Sequence, residues 1–348
     1  MEIKERNTLS EMPPREPRLE KINKASSSPF KPAWWLPGPH LQTLWPTLCR
    51  RPVKNISLRR ERFELPDGDF VDLDWIGQGH GPIILILHGL EGSINSPYAK
   101  GMLRVIHEHG WRGVLMHFRG CSGEVNRSLR SYHSGETDDV ASVVAGFQIR
   151  EPSTEIAAIG FSLGGNVLLK WLGESGHKNP LKAAIGISVP FELHKSSKRI
   201  QQGFSRLYQH YFLKELCQKT RKKFASKPAP FKLESLGELK TIREFDDKVT
   251  APLHGFANVD EYYTKASCRQ FLNKIKIPTL LVQAKDDPFM TEDLLPNHQE
   301  LAPDVTLELT EKGGHVGFVS GSLPWRAEYW LERRVPEFFL QHLRHWVR

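Results

Sequence analysis

The sequence is poor in cysteine, and none of its cysteines is grouped. Its 348 residues include four, at positions 49, 121, 217 and 268, with no CxxC spacing. Spacing this wide is typical neither of a disulfide framework nor of a zinc site, so it favours a reducing compartment. The pair His107 and His109 has no companion carboxylate or cysteine cluster. We therefore expect no metal ion.

Long apolar segments are also missing from the sequence. It has no N-terminal apolar stretch of the kind found in signal peptides and no apolar run of about 18 residues. Neither a secretory signal nor a membrane span is predicted, and the cytoplasm is the expected location.

The charge balance is basic without being strongly one-sided. The formal net charge is +8, from 48 basic and 40 acidic residues that are largely interspersed, so nucleic-acid binding is not expected. The basic excess lies in the first sixty residues and in 195–248, where Lys219–Lys223 reads KTRKK. Two interpretations stay open for this run: a solvated helix face, or transient docking to anionic lipid or an acidic ligand.

The first 55 residues do not resemble the rest of the chain. Residues 1–28 are polar, charged and rich in proline, which predicts a poorly ordered arm. Residues 29–55 contain three tryptophans among several prolines. Because proline disfavours a long helix and tryptophan favours burial, we expect an irregular segment packed over the body of the protein.

From residue 56 the hydrophobic pattern predicts an α/β core interrupted by a cap. A hairpin comes first, then continuous aliphatic runs alternate with helical patterns, as in a mostly parallel, doubly wound sheet. The predicted strands are 60–65, 70–76, 82–87, 113–118, 155–160, 181–188, 279–284 and 305–309, and the helices are 98–109, 136–150, 164–174 and 334–346. The core is assigned to 56–189 and 276–348, and the helix-favouring, lysine-rich insertion 190–275 to a cap.

The motif Gly160-Phe161-Ser162-Leu163-Gly164 joins a predicted strand to a predicted helix. In this setting GxSxG forms a tight, strained turn that exposes the serine hydroxyl above the carboxyl end of the strand. Ser162 is therefore the candidate nucleophile. A glycine-rich turn with an incidental serine is the alternative.

A serine nucleophile needs a base and a group that orients the base. After the insertion, Asp286 and Asp287 directly follow one strand, and His315 lies between glycines after the next. Loops after parallel strands open at the same edge of the sheet, so these residues can meet Ser162. His315 is the candidate base, and at this stage either aspartate can be its partner.

Backbone amides are the expected donors to a developing oxyanion. His88-Gly89-Leu90-Glu91-Gly92 follows the strand 82–87, and its glycines allow the backbone to turn. We assign the oxyanion hole to the amides of Leu90 and Leu163 by their positions. His88 is interpreted as shaping the loop.

Together GFSLGG, HGLEGS, AKDDPF and GGHVGF resemble the α/β-hydrolase superfamily. WLPGPHLQT, FRGCSG, SYHSG and REFDD are similar to the bacterial YheT-type branch and the related eukaryotic membrane-anchored group, over about residues 30–348. The resemblance implies a Ser, Asp, His triad and hydrolysis of carboxylic esters, with lipid esters as substrates of the eukaryotic relatives. In the common hydrolase turn the aspartate precedes a proline, which selects Asp287 before Pro288. Asp286 then becomes a turn or capping residue.

The function expected from these residues is a carboxylesterase or lipase that needs no cofactor and acts on a small ester or lipid ester. A thioesterase or acyltransferase would use the same acyl-serine, and a non-catalytic binding module on the same fold is a further alternative. Asp246 and Asp247 are expected to fix the cap, and Ser131–Gly135 to order the loop beneath the entrance. Neither acyl length nor oligomeric state is predicted.

Overall fold

The fold is built on a nine-stranded sheet with helices on both faces, and a separate two-stranded sheet lies near the C-terminal end of the described residues. The computed structural model describes residues 26–27, 30–53 and 56–344. The strands are β1 (Ser26–Ser27), β2 (Arg59–Glu64), β3 (Phe70–Ile76), β4 (Ile83–Leu87), β5 (Arg112–Met116), β6 (Ile156–Phe161), β7 (Ala183–Ile187), β8 (Thr279–Ala284), β9 (Val305–Thr310), β10 (Val319–Ser320) and β11 (Glu328–Tyr329).

The α-helices are α1 (Pro39–Cys49), α2 (Ala99–Glu108), α3 (Asp138–Arg150), α4 (Leu163–Ser175), α5 (Leu193–Arg199), α6 (Ser205–Phe224), α7 (Ile242–Phe245), α8 (Ala251–Leu253), α9 (Val259–Ala266) and α10 (Leu331–Phe339). A π-helical turn, Asp246–Thr250, joins α7 to α8. None of the described helices is both long and apolar enough to cross a bilayer.

The sheet order is β1-β9-β8-β7-β6-β4-β5-β3-β2. Pairs from β1 to β5 are parallel, and β3 and β2 are added antiparallel at one edge. The predicted α/β-hydrolase fold and its hairpin are thus confirmed. The parallel strands end at one edge, which brings the loops after β4, β6, β8 and β9 together.

Each face of the sheet carries its own apolar core. Leu85 and Leu87 of β4 pack with α3 and α4, whereas Ile84 and Ile86 pack with α2 and α10. All four side chains are fully buried. This is why β4 reads as a continuous aliphatic run and not as an alternation.

Several local predictions differ from the structure. The segment predicted to be irregular contains, within its described residues 30–53, the 11-residue helix α1; residues 29, 54 and 55 lie outside the described residues. Pro39 lies at the first helical turn, where a missing N–H costs little, and Pro46 is accommodated further along. Trp34 is 77% exposed instead of buried.

Ser26 and Ser27, placed in the disordered arm, form β1 beside β9; residues 1–25 and 28 lie outside the described residues. The last helix begins at Leu331, not near 334, and ends at Phe339, with Pro336 inside it. Its buried apolar side chains pack on the sheet and on α2, so tertiary burial and not the local pattern sets its limits.

Candidate active site

Ser162 stands at the turn between β6 and α4. Its backbone has φ 51° and ψ −119°, a left-handed conformation that costs a non-glycine residue about 1–3 kcal/mol. Its amide donates to the carbonyl of Ile187 at 2.8 Å, which ties the strained turn to β7. The side chain therefore leaves the sheet edge and faces the loops after β8 and β9.

The glycines of this motif are required by close backbone contact. A Cβ at Gly160 would lie 2.5 Å from the carbonyl oxygen of Gly164. A Cβ at Gly164 would lie 2.5 Å from the carbonyl oxygens of Leu87 and His88. Glycine at 160 lets α4 begin directly against the end of β6, and glycine at 164 lets α4 begin this close to the end of β4.

His315 is fixed by the loop after β9 and by α1. Its backbone amide donates to Thr43 Oγ1 of α1 at 2.9 Å. A Cβ at Gly314 would lie 2.5 Å from the carbonyl oxygen of Pro39. The segment that sequence analysis treated as packing therefore supports the candidate base directly.

The two adjacent aspartates after β8 make separate contacts. Asp287, 2% exposed, accepts from His315 Nδ1 at 2.8 Å through Oδ2 and from the Phe289 amide at 2.8 Å through Oδ1. Asp286 Oδ1 accepts from the Gly314 amide at 2.9 Å, and burial raises the pKa of its carboxyl. The aspartate that contacts His315 is thus the one selected by the resemblance.

Ser162, His315 and Asp287 form one chain of hydrogen bonds. Ser162 Oγ lies 2.9 Å from His315 Nε2. Because a carboxylate only accepts, His315 Nδ1 carries the proton, and Nε2 is left to accept from the serine hydroxyl. This geometry can activate the hydroxyl for attack on an electrophilic carbon.

The loop after β4 lies directly beside Ser162. A Cβ at Gly89 would lie 3.3 Å from Ser162 Cβ. The Gly89 amide donates to Tyr98 Oη at 2.9 Å and the Glu91 amide to Tyr132 Oη at 3.0 Å.

In the described part of the chain, the amides of Leu90 and Leu163 have no hydrogen-bond acceptor. Both residues line the cavity at Ser162, so two backbone donors are available beside the serine. Their assignment as the oxyanion hole stays a prediction.

His88 shapes this loop, as expected, and does not act near the serine. Its Nδ1 bonds the Gly89 carbonyl at 2.7 Å, and its Nε2 accepts from the Phe118 amide at 3.1 Å. Burial lowers the pKa of the His88 imidazole to about 3. The ring is therefore neutral, and both nitrogens serve the backbone.

Ser162 and His315 open into a cavity of about 1000 Å³ between the core and the α5–α9 region. Most of its wall is apolar, from side chains that include Ile200, Phe204, Leu207, Phe212, Leu216 and Phe289. Its polar part includes Ser131, His133, Lys219, Asp246 and His254. Such a cavity can take a long apolar group with a polar end.

Among the described residues, one cluster of the cavity region has the spacing of metal ligands: His133, Glu136 and His254, with ligand atoms within 4.8 Å of one another. Existing hydrogen bonds compete with a metal. His133 Nδ1 accepts from the Gly135 amide at 3.1 Å, so the ring proton is on Nε2. A histidine that binds a metal through one ring nitrogen almost always donates a hydrogen bond from the other, whereas Nδ1 of His133 is an acceptor. Glu136 is paired with Arg130. Burial lowers the pKa of His254 to about 3, so its imidazole is neutral.

The basic run KTRKK lies on α6, and its side chains divide between solvent and protein. Arg221 and Lys222 are exposed, as predicted for a solvated face. Lys223 is 4% exposed and donates to Asn126, Ser131 and the Arg130 carbonyl. Burial lowers the pKa of the Lys223 ammonium to about 7.

Lys219 of the same run also points inward, to Glu91. Sequence reasoning missed both inward lysines, as well as Thr43, Tyr98 and Tyr132.

Two other motifs singled out in the sequence contact α9. Asp247 Oδ1 accepts from the Val259 amide at the start of α9, and Asp246 accepts from Tyr263 Oη at 2.7 Å, so the pair ties the π-helical turn to α9. Burial raises the pKa of the Asp246 carboxyl to about 6. In the SYHSG loop the Ser134 amide donates to Tyr262 Oη at 2.9 Å.

Comparison with known proteins agrees with this architecture. A model of the alpha/beta hydrolase fold matches residues 82–322. The chain belongs to the α/β-hydrolase family. YheT of Escherichia coli is 45% identical to it over 325 residues, which are 92% of this chain and 95% of that protein. The predicted resemblance to the YheT-type branch is thereby confirmed.

More distant members of the α/β-hydrolase family extend the comparison. Phospholipase ABHD3 of Bos taurus is 30% identical over 331 residues, 91% of this chain and 79% of that protein. The esterase Pf2001 of Pyrococcus furiosus has a TM-score of 0.56 at 19% identity, covering 84% of this chain and 96% of its own. Similarity at that level concerns the fold alone.

Proposed function

We propose that this α/β hydrolase is a serine ester hydrolase of the carboxylesterase or lipase type. One observation carries the proposal: the unbroken hydrogen-bonded chain from Asp287 through His315 to Ser162, which opens on an apolar cavity. No cofactor is needed for this chemistry.

In the proposed mechanism Ser162 Oγ bonds to the ester carbonyl carbon while His315 Nε2 takes the hydroxyl proton. The amides of Leu90 and Leu163 stabilise the oxyanion. His315 returns the proton to the departing alcohol, leaving an acyl-serine. A water molecule then attacks the acyl carbon and gives its proton to Nε2, and the proton returns to Ser162 as the acid leaves. Asp287 stays ionised and orients the imidazole.

The substrate we propose is an ester with an apolar acyl group, including lipid esters. The mainly apolar wall of the cavity supports this, and so does the phospholipase designation of ABHD3. A thioesterase or an acyltransferase would share the acyl-serine and differ only in the leaving group or the acceptor, so both are tested beside the esterase.

Transient contact with a lipid surface is the partner interaction we propose, and the widely spaced cysteines favour a reducing compartment such as the cytoplasm. Sequence analysis based the lipid contact on the basic cap, but Lys219 and Lys223 point inward. Better support comes from exposed apolar side chains on and beside α1 and α6, namely Leu41, Leu48, Phe204, Leu207 and Tyr211. Phe204, Leu207 and Tyr211 also line the cavity, so an acyl chain could enter it from a lipid surface.

Labelling with a fluorophosphonate probe tests the proposed chemistry. The wild type should be labelled at neutral pH, and Ser162→Ala should not. p-Nitrophenyl esters of increasing acyl length, the matching thioesters and added alcohol acceptors would then separate esterase, thioesterase and acyltransferase activity. Absence of Ser162-dependent labelling would instead favour the non-catalytic binding module.

A further inference from the structure

The loop that carries the Leu90 amide is held in place by side chains distant in sequence. Glu91, the next residue, has φ 51°, a left-handed conformation unusual for glutamate. Its amide donates to Tyr132 Oη at 3.0 Å, and the Tyr132 hydroxyl donates to Glu91 Oε1 at 2.6 Å. With Tyr98 bonded to Gly89 on the other side, the peptide groups around Leu90 are fixed.

The same Glu91 carboxylate is contacted by α6, between β7 and β8. Lys219 Nζ lies 3.1 Å from Glu91 Oε1, 2.8 Å from Cys121 Sγ and 4.8 Å from the centre of the Tyr132 ring. The Glu91 side chain is only 11% exposed. In the described ranges Lys219 is its one ion-pair partner.

We propose that Lys219 is a positioning residue through which the cap sets the geometry and the charge of the oxyanion loop. This rests on the proposed ester hydrolysis. With α6 seated, the ammonium neutralises Glu91 and keeps the loop in the conformation that leaves the Leu90 amide free beside Ser162. With α6 displaced, both effects are lost, so catalysis depends on the position of the cap.

When Lys219 is absent, two physical effects both weaken stabilisation of the oxyanion. A left-handed glutamate is strained and relaxes when its contacts weaken, which turns the Leu90 amide away. The Glu91 carboxylate also becomes an uncompensated negative charge one residue from the Leu90 amide. In a partly dry site that charge opposes the negative charge developing on the substrate oxygen.

The test compares Lys219→Met with Lys214→Met, an exposed lysine on the same helix. For a short p-nitrophenyl ester we expect Lys219→Met to lower kcat by about tenfold to hundredfold, less than complete loss of both oxyanion donors. KM should change by less than about threefold, because the loss concerns the transition state. Lys214→Met should match the wild type.

A second pair of measurements separates positioning from general support of the fold. Affinity for a trifluoromethyl ketone, which forms an oxyanion on Ser162, should fall in Lys219→Met by the same factor as kcat/KM. Adding Glu91→Gln to Lys219→Met removes the unpaired carboxylate, so the double variant should recover most of the lost kcat. If Lys219→Met does not fold, Tyr132→Phe tests the same loop from the core side and should likewise lower kcat.

The possible failures of this test are distinguishable. If the wild type shows no Ser162-dependent turnover, the proposed function is wrong, and with it the catalytic role of Lys219. If the wild type is active and Lys219→Met behaves like Lys214→Met, only the present inference is overturned. It is also overturned if the loss appears in KM alone, or if Glu91→Gln restores nothing.

Discussion

Replacing Asp287 by asparagine is the sharpest test of the candidate triad. The carboxylate accepts two hydrogen bonds, from His315 Nδ1 and from the Phe289 amide, each at 2.8 Å. An amide side chain has one oxygen and one NH₂ group, so it cannot satisfy both donors. The substitution conserves shape while forcing a choice between two unfavourable arrangements.

Each arrangement has a definite cost. If the new NH₂ faces His315, the imidazole must protonate Nε2, which then cannot accept from Ser162. If the new NH₂ group faces the Phe289 amide, two N–H donors point at each other in a buried site. The imidazolium that forms at His315 during the reaction is then no longer stabilised by a carboxylate. The corresponding change in a serine protease triad lowers kcat about 10⁴-fold. We expect a similar loss here, equivalent to roughly 5.5 kcal/mol.

The matched control is Asp286→Asn. Its Oδ1 accepts from the Gly314 amide, a bond that an asparagine oxygen can keep, so kcat should stay within about threefold of the wild type. Hydrolysis of p-nitrophenyl butyrate and the rate of fluorophosphonate labelling measure both variants. If Asp286→Asn abolishes turnover while Asp287→Asn retains it, Asp287 is not the carboxylate that orients His315.

Three further predictions concern stability. Burial raises the pKa of Asp246 to about 6, so the folded state binds the proton of this carboxyl more tightly than the unfolded state does. The resulting contribution to folding stability is complete below about pH 4 and is lost as the pH rises through about 6. Asp246→Asn should therefore raise the free energy of unfolding in urea at pH 8 by about 1–3 kcal/mol but not at pH 4; equal effects would contradict this. Gly164→Ala should destabilise by about 3 kcal/mol and lower activity, because its Cβ meets backbone oxygens at 2.5 Å; wild-type stability would be the contrary result. Arg119→Met leaves the buried carboxylates of Asp69 and Asp139 without their guanidinium and should lower the free energy of unfolding by about 3–5 kcal/mol. Lys265→Met, which breaks an exposed ion pair with Glu261, should lower it by less than about 1 kcal/mol. Similar losses in the two variants would contradict the difference expected between buried and exposed pairs.

The sequence by itself determined the class of fold and the main chemical candidates. Continuous aliphatic runs are required where a strand is covered on both faces, as at β4, and glycines are required where α4 starts against it. Ser162 and His315 were found because their turns have local signatures. The adjacent aspartates were not separated by the local pattern, and resemblance to the family was needed to choose Asp287.

Only the tertiary structure decided which distant residues support these candidates. The amide of His315 bonds Thr43, 272 positions earlier, and Glu91 pairs with Lys219, 128 positions later. The spacing of apolar residues along a helix or strand predicts which of its faces is buried, but it does not predict which other residues pack on that face. From sequence alone, a lysine in a basic run is therefore predicted to be solvated, although the fold places it against a carboxylate. A proline-rich segment is predicted to be irregular, although part of it forms a helix that contacts the loop of His315.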